Sequence, residues 1–155
     1  MRCITIIEPW ASLIAVGVKR YETRGWSPDF RGPLAIHAGK KTEFAADALM
    51  RDPFRSILAQ AGICRLKDFN FGHVLCVVNL VAVHKTEWLR QAISLEERDF
   101  GDYGDGRFAW ELADVRTFTP QEARGFQKVW NWQPTGFVRD AIDGWKRKLE
   151  LAVTA

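Results

Sequence analysis

Short β-branched apolar runs alternate along this chain with stretches of helical periodicity, and their order predicts the architecture. CITII (3–7) has the β-branched, apolar character of a strand. EPWASLIAVG (8–17) follows as a helix, with Pro9 in its first turn, Gly17 at its stop, and Leu13, Ile14 and Val16 on its buried side. KRYETRGW alternates, so an extended backbone sends Glu22 and Arg24 to one face and Tyr21 and Thr23 to the other. SPDFRGP reads as a loop, and LAIHAG as a strand with Leu34 and Ile36 on one face. TEFAADALMRD is helical as far as Pro53, and FRSILAQAG resumes the helix until Gly62.

The second half begins with the strongest strand signal, HVLCVVNLVAVHKT, apolar enough for burial on much of both faces. Ser94 and Glu97 stand at capping-box spacing, and DYGDG is a turn. RFAWEL alternates with Phe108, Trp110 and Leu112 inward and Glu111 opposite, and KVWNWQP is a short extended piece. From Gly136 a helix carries Phe137, Ala141, Trp145 and Leu149 as one apolar stripe. Short strands with helices between them, without strict β-α-β alternation, predict an α+β fold: a small β-barrel or curled sheet with several flanking α-helices. The 155 residues read as one domain, 1–155, with 136–155 a C-terminal helix packed on it.

Composition narrows the class. Forty-seven per cent apolar and 26% charged residues exclude a disordered chain. No apolar run approaches the roughly 20 residues of a membrane helix, and Glu8 and Pro9 interrupt the start too soon for a signal peptide. Cys3, Cys64 and Cys76 lack paired spacing and the three histidines are scattered, which argues against a disulfide framework and a zinc site. A reduced, cytoplasmic protein with no cofactor is expected. Net charge is +3, unevenly placed. Residues 2–41 carry seven basic and three acidic groups, residues 86–115 three and eight, and the last forty seven and four. Two basic stretches around an acidic one predict a positive cleft with a negative back.

GVKRYETRGW (17–26) sets three cations, Lys19, Arg20 and Arg24, around one carboxylate, Glu22. A buried ion network fixing the helix-to-strand corner is one reading. The excess of cations supports another: Glu22 aligns one of them and leaves the other for a phosphate or a base carbonyl. Glu22 can also accept from the exocyclic amine of a base. Trp10, at a helix start, is the candidate stacking platform, and Trp130 with Trp132 a candidate cleft wall. Arg31, His37, Lys40 and Lys41 read either as a solvated basic surface or as further nucleic-acid contacts, with His37 an acid or base near neutral pH. Asp99, Asp102 and Asp105 lack Asp-x-Asp spacing; they read as a polar turn, with a loose magnesium site the alternative.

These residues carry a resemblance. ITIIEPWASLIAVGVKRYETRGWSPDFRGPLAIHAGKK is similar to the opening of ASCH domains, whose GxKxxExR hallmark falls on Gly17, Lys19, Glu22 and Arg24. GRFAWELADVR and KVWNW resemble later blocks of the family, so the likeness spans residues 4 to about 132. It implies a PUA-like β-barrel with flanking helices and a charged cleft between barrel and helices. It also implies association with RNA, with nucleotide modification or with transcription cofactors. One compact branch hydrolyses acetylated cytidine, and some members cut RNA. Two positions depart from the pattern. Glu8 stands where glutamine is usual, and Glu22 stands where the amidohydrolase branch has its nucleophilic threonine.

Three functions follow as expectations. The first is binding of single-stranded RNA or a nucleotide through Trp10, Lys19, Arg24, Arg31, His37, Lys40, Lys41 and Trp130. On that reading, removing Lys19 and Arg24 together abolishes binding and barely changes the melting temperature. The second is a hydrolase of RNA, with or without magnesium, or of a modified nucleoside such as acetylated cytidine. Lys19, Glu22 and Arg24 would be its catalytic groups, Lys19 stabilising developing negative charge and Glu22 shuttling the proton. The third is docking on another protein, with the charges structural.

Overall fold

A computed structural model describes residues 1–155. Six strands form one sheet in the order β2-β5-β4-β3-β1-β6: β1 Arg2–Ile6, β2 Tyr21–Arg24, β3 Gly32–Ala38, β4 His73–Lys85, β5 Phe108–Glu122 and β6 Val129–Asn131. Only β1 and β3 run parallel, with Cys3 opposite Ala35; the other neighbours are antiparallel. β4 and β5 pair along their whole length through three register shifts. Such irregularities bend a ladder and raise its twist. The sheet curls into a half-barrel, giving a mixed α+β fold.

Six helices flank it: α1 Trp10–Ala15, α2 Glu43–Ala48, α3 Phe54–Gln60, α4 Thr86–Leu89, α5 Leu95–Asp99 and α6 Gly136–Thr154. The concave core gathers Ile4, Leu34, Ile36, Val78 and Trp110 with Ala11 and Ile14 of α1. Leu13, on the other side of α1, joins Phe54 and Leu58 of α3 and Phe100 in a second cluster. α1 is therefore a wedge between the sheet and the α2–α3 pair. On the sheet's outer face Val138 and Ile142 of α6 cover Cys3, Ala35 and Val77.

Several expectations shift. The helix from 43 stops at Ala48, and α3 starts after Pro53. β5 continues ten residues beyond Leu112, because its pairing with β4 overrides the polar residues there. The apolar stripe of α6 starts at Val138, not Phe137. The helix begins at Gly136, so Phe137 falls on the outward side of the first turn and is 93% exposed. No helix is long and apolar enough to cross a membrane.

Candidate functional site

The open side of the half-barrel holds a cleft of about 710 Å³. Its walls come from the end of β1, the start of α1, β2, the segment after α5, and the segment before β6. None of these is adjacent in sequence to all the others; the curl of the sheet brings them together.

β2 supplies the charged wall. Arg24 donates through Nε to Glu22 Oε1 at 2.9 Å and through Nη2 to the Thr5 carbonyl at 3.1 Å. Glu22 also faces the Lys19 ammonium, 3.5 Å from Oε2. Lys19 lies in the irregular segment between α1 and β2, its amide bonded to the Leu13 carbonyl of α1, and it is 2% exposed. Its ammonium donates to the Phe100 carbonyl at 2.8 Å and to the Tyr21 carbonyl. Burial holds that ammonium below the ordinary lysine value, with Glu22 and Glu97 opposing the shift. Lys19 therefore lies behind the cleft wall and touches no solvent-borne ligand. Removing it takes one of two cations from Glu22 and a donor from two carbonyls, and removing Arg24 as well orphans the carboxylate, which contradicts the expectation that Lys19 and Arg24 can be deleted without loss of stability.

The segment after α5 is tied to β2 by backbone contacts. The Asp102 amide donates to Thr23 Oγ1 at 2.9 Å, so Thr23 is engaged on the side opposite the Glu22 carboxylate. Gly101 permits the approach: a Cβ there would stand 3.0 Å from Thr23 Oγ1. Glu97 fulfils only half of the capping box. Its amide donates to Ser94 Oγ, while its carboxylate accepts from the Arg20 and Tyr21 amides and so clamps the entry to β2. Burial raises the Glu97 carboxyl above its ordinary value, and those amides oppose the rise.

Three basic side chains, Arg24, Arg107 and Lys128, and three acidic ones, Glu22, Asp99 and Asp102, line the cleft. The positive cleft with an acidic back is thus corrected to a cleft of mixed charge, because the segment after α5 brings its carboxylates to the front. Arg107 pairs with Asp102 at 3.4 Å and donates to the Thr23 carbonyl. Trp10, Phe100 and Phe126 form the aromatic parts of the lining. Asp105 turns away to receive Arg90 at 2.6 Å. No group of three or more His, Cys, Asp or Glu side chains converges as a metal-binding set.

The other sequence candidates lie outside the lining. His37 is buried beneath β6, its Nδ1 3.1 Å from Thr5 Oγ1 and its Nε2 2.9 Å from the Ala123 carbonyl. Trp130 donates its indole N–H to the same Thr5 hydroxyl and packs edge-on to His37. An indole only donates and a carbonyl only accepts, so the Thr5 hydroxyl donates to Nδ1 and His37 Nε2–H donates to Ala123. Burial depresses the His37 pKa. Both residues support the wall from behind and neither is part of the cleft lining; His37 is buried, and half-buried Trp130 packs against Phe126. Arg31 folds back onto the Pro28 and Phe30 carbonyls, and Lys40 and Lys41 are exposed beyond the end of β3. Sequence reasoning missed Arg107, Phe126 and Lys128 as cleft residues, since only the long β5 excursion returns 126–128 to β1. Of the three, Lys128 alone had a sequence signal, the basic surplus of the last forty residues.

The helix start beside Trp10 offers no free anion site. Glu8 is wholly buried and accepts from the Ser12 amide at 2.9 Å and the Ser12 hydroxyl at 2.8 Å. Burial pushes its carboxyl up to about 7, against the lowering effect of those bonds.

Comparison with known proteins accounts for this arrangement. An ASCH domain model matches residues 4–122. The fold is similar to that of a crystal structure of an ASCH protein from Zymomonas mobilis, with TM-score 0.52, 15% identity, and 92% of this chain and 93% of that one covered. A tyrosine-to-phenylalanine mutant of that protein gives TM-score 0.53 at 14% identity, covering 92% and 96%. No curated protein sequence matches. The family is generally RNA-binding with a PUA-like fold. With 119 consecutive residues under the family model and the same fold across nearly the whole chain, the protein belongs to the ASCH domain family.

Proposed function

We propose that the protein binds single-stranded RNA, or a nucleotide derived from it, in the cleft between β1, β2 and the segment before β6. The observation that supports this reading most is the combination of Trp10 with Arg24, Arg107 and Lys128 around one opening of about 710 Å³. That volume lies within the usual range of small-ligand sites, about 300–1,000 Å³. An aromatic face takes a base by stacking whatever its sequence, contributing about 1–3 kcal/mol. Lys128 and Arg107 are placed for phosphate, and the Asp99 carboxylate for an exocyclic amine. The balance of charges distinguishes such a cleft from a phosphate track: affinity rests on stacking and base edges as well as on counterion release.

Hydrolysis of RNA or of a modified nucleoside such as acetylated cytidine is the second reading. It is favoured by Glu22, whose carboxylate lines the cleft while two cations fix it from behind and beside. A carboxylate so held can take a proton from an attacking water, and Arg24 can stabilise developing negative charge. Lys19 acts on this reading only through Glu22. A protein of this kind is expected in the cytoplasm.

Fluorescence anisotropy with a labelled mixed-sequence hexaribonucleotide tests the first reading. Binding should weaken with salt and fall at least about fivefold in Trp10→Leu. Salt-insensitive binding, or none, removes it. Incubating labelled RNA and acetylated cytidine with and without magnesium tests the second, and the absence of product from folded protein under every condition excludes it.

A further inference from the structure

Beside the cleft lies a second hollow of about 380 Å³, walled by Arg2, Trp26, Asp29 and Phe30. One residue, Lys128, belongs to the lining of both. Its backbone has φ +57°, the left-handed region that a residue with a Cβ adopts at a cost. Only one other non-glycine residue of the chain, Asp114, does the same. Its side chain is exposed and takes part in none of the chain's ion pairs. A strained backbone thus carries an uncommitted ammonium on the rim between two aromatic-walled hollows. In the second hollow the Arg2 guanidinium lies over the Phe30 ring, 4.4 Å from its centroid. Arginine planes held this way accept a stacked base as aromatic rings do.

We infer that the ligand extends over at least two nucleotides. The cleft takes one base against Trp10, the second hollow takes its neighbour against the Arg2–Phe30 pair, and Lys128 takes the phosphate between them. This rests on the nucleic-acid reading of the cleft and extends it from a nucleotide to an oligonucleotide. The rim position of Lys128 carries the extension. A site for a single nucleotide needs no cation between two hollows, and a surface lysine needs no left-handed backbone.

The test compares the four nucleoside 5′-monophosphates with mixed dinucleoside monophosphates as competitors of a labelled hexaribonucleotide. It uses wild-type protein, Arg2→Gln and Lys128→Gln. In wild type the dinucleotides should bind at least about tenfold tighter than the mononucleotides, stacking of a second base being worth that much. R2Q should erase most of this advantage and leave mononucleotide affinity unchanged. K128Q should lower the slope of log affinity against log salt for the hexamer by about 0.7, one phosphate contact on a single strand. Equal binding of mono- and dinucleotides, or an advantage that survives R2Q, overturns the inference while leaving the cleft as a nucleotide site. An equal loss of mono- and dinucleotide affinity in R2Q shows diffuse charge and also overturns it. Failure of every probe to bind wild type removes the nucleic-acid reading itself, and the inference with it.

Discussion

Arg24 joins two strands that lie four places apart in the sheet order: its Nη2 donates to the Thr5 carbonyl of β1 while its Nε holds Glu22 of its own strand β2. The guanidinium therefore spans the open side of the half-barrel and forms part of the cleft wall in the same act. The rigid, planar fork of donors suits two acceptors set apart in this way. Arg24→Lys is expected to keep the charge, lose one of the two bonds, and lower stability by about 1.5–3 kcal/mol. RNA affinity should fall about tenfold, or about 1.4 kcal/mol, in the same variant. Chemical denaturation and anisotropy on one preparation check both. Unchanged stability would mean that the Thr5 bond does not form in solution.

Lys19 is the hallmark residue whose loss should be read as instability first. Lys19→Met removes a buried partner of Glu22 and two carbonyl acceptors, an event worth about 3–5 kcal/mol. In a domain of this size the melting temperature should drop by roughly 10 °C. The double variant Lys19→Met/Glu22→Gln should be less destabilised than the two single effects summed, since both buried charges are then gone. A melting temperature within a degree or two of wild type in K19M, with ligand binding lost, would place Lys19 at the ligand instead.

Glu8 makes stability depend on pH in a defined direction. Its carboxyl moves from 4.5 unfolded to about 7 folded because burial disfavours the charge. The folded state then binds more protons between those values, so stability falls as pH rises from about 4.5 through about 7. The loss is on the order of 3 kcal/mol. Glu8→Gln keeps an acceptor for the Ser12 amide and adds a donor for the Ser12 hydroxyl, with no charge to bury. It should match wild type near pH 4.5 and exceed it at pH 8. Thermal melts across that range decide; parallel curves for the two proteins would rule out the buried carboxylate as the cause.

The Thr5 side chain reinforces the backbone ladder that holds β6 to β1 by accepting from the Trp130 indole. Thr5→Val leaves His37 Nδ1 without a donor and the Trp130 indole without an acceptor, at about 1–3 kcal/mol for each group left dry. The indole N–H of Trp130 should then exchange faster with solvent, which NMR can follow. His37 acts in the sense opposite to Glu8. Its depressed pKa means that stability is present above the unfolded value of 6.5 and is lost as pH falls below it. Unaltered exchange at Trp130 in T5V would show that its partner lies elsewhere.

What was legible in the sequence follows from what is local. β1, β3 and β4 announce themselves by β-branched runs, and the Ser94 cap by its spacing. Trp10, Glu22 and Arg24 reach the cleft as their positions implied. Lys19 does not, because β2 begins only at Tyr21 and parity along a strand says nothing about the irregular residues before it. His37 looked exposed from its alternation with Ile36, yet the segment before β6 folds over it. A Cβ on Gly125 would come within 2.6 Å of the His37 ring. That segment is also what adds Phe126 and Lys128 to the site. No periodicity in QEARGFQKVW encodes where a long excursion lands; only closure of the sheet decides it.

On the proposed function, nucleic acid occupies the cleft bounded by Thr5, Arg24, Asp102 and Lys128. Amide chemical-shift mapping with an unlabelled mixed-sequence hexaribonucleotide tests it most directly. Saturable shifts are expected at residues 5–7, 22–24, 99–102 and 126–128, with α3 and the C-terminal half of α6 silent. Shifts concentrated on Lys40, Lys41 or α6, with the cleft amides unmoved, would contradict it.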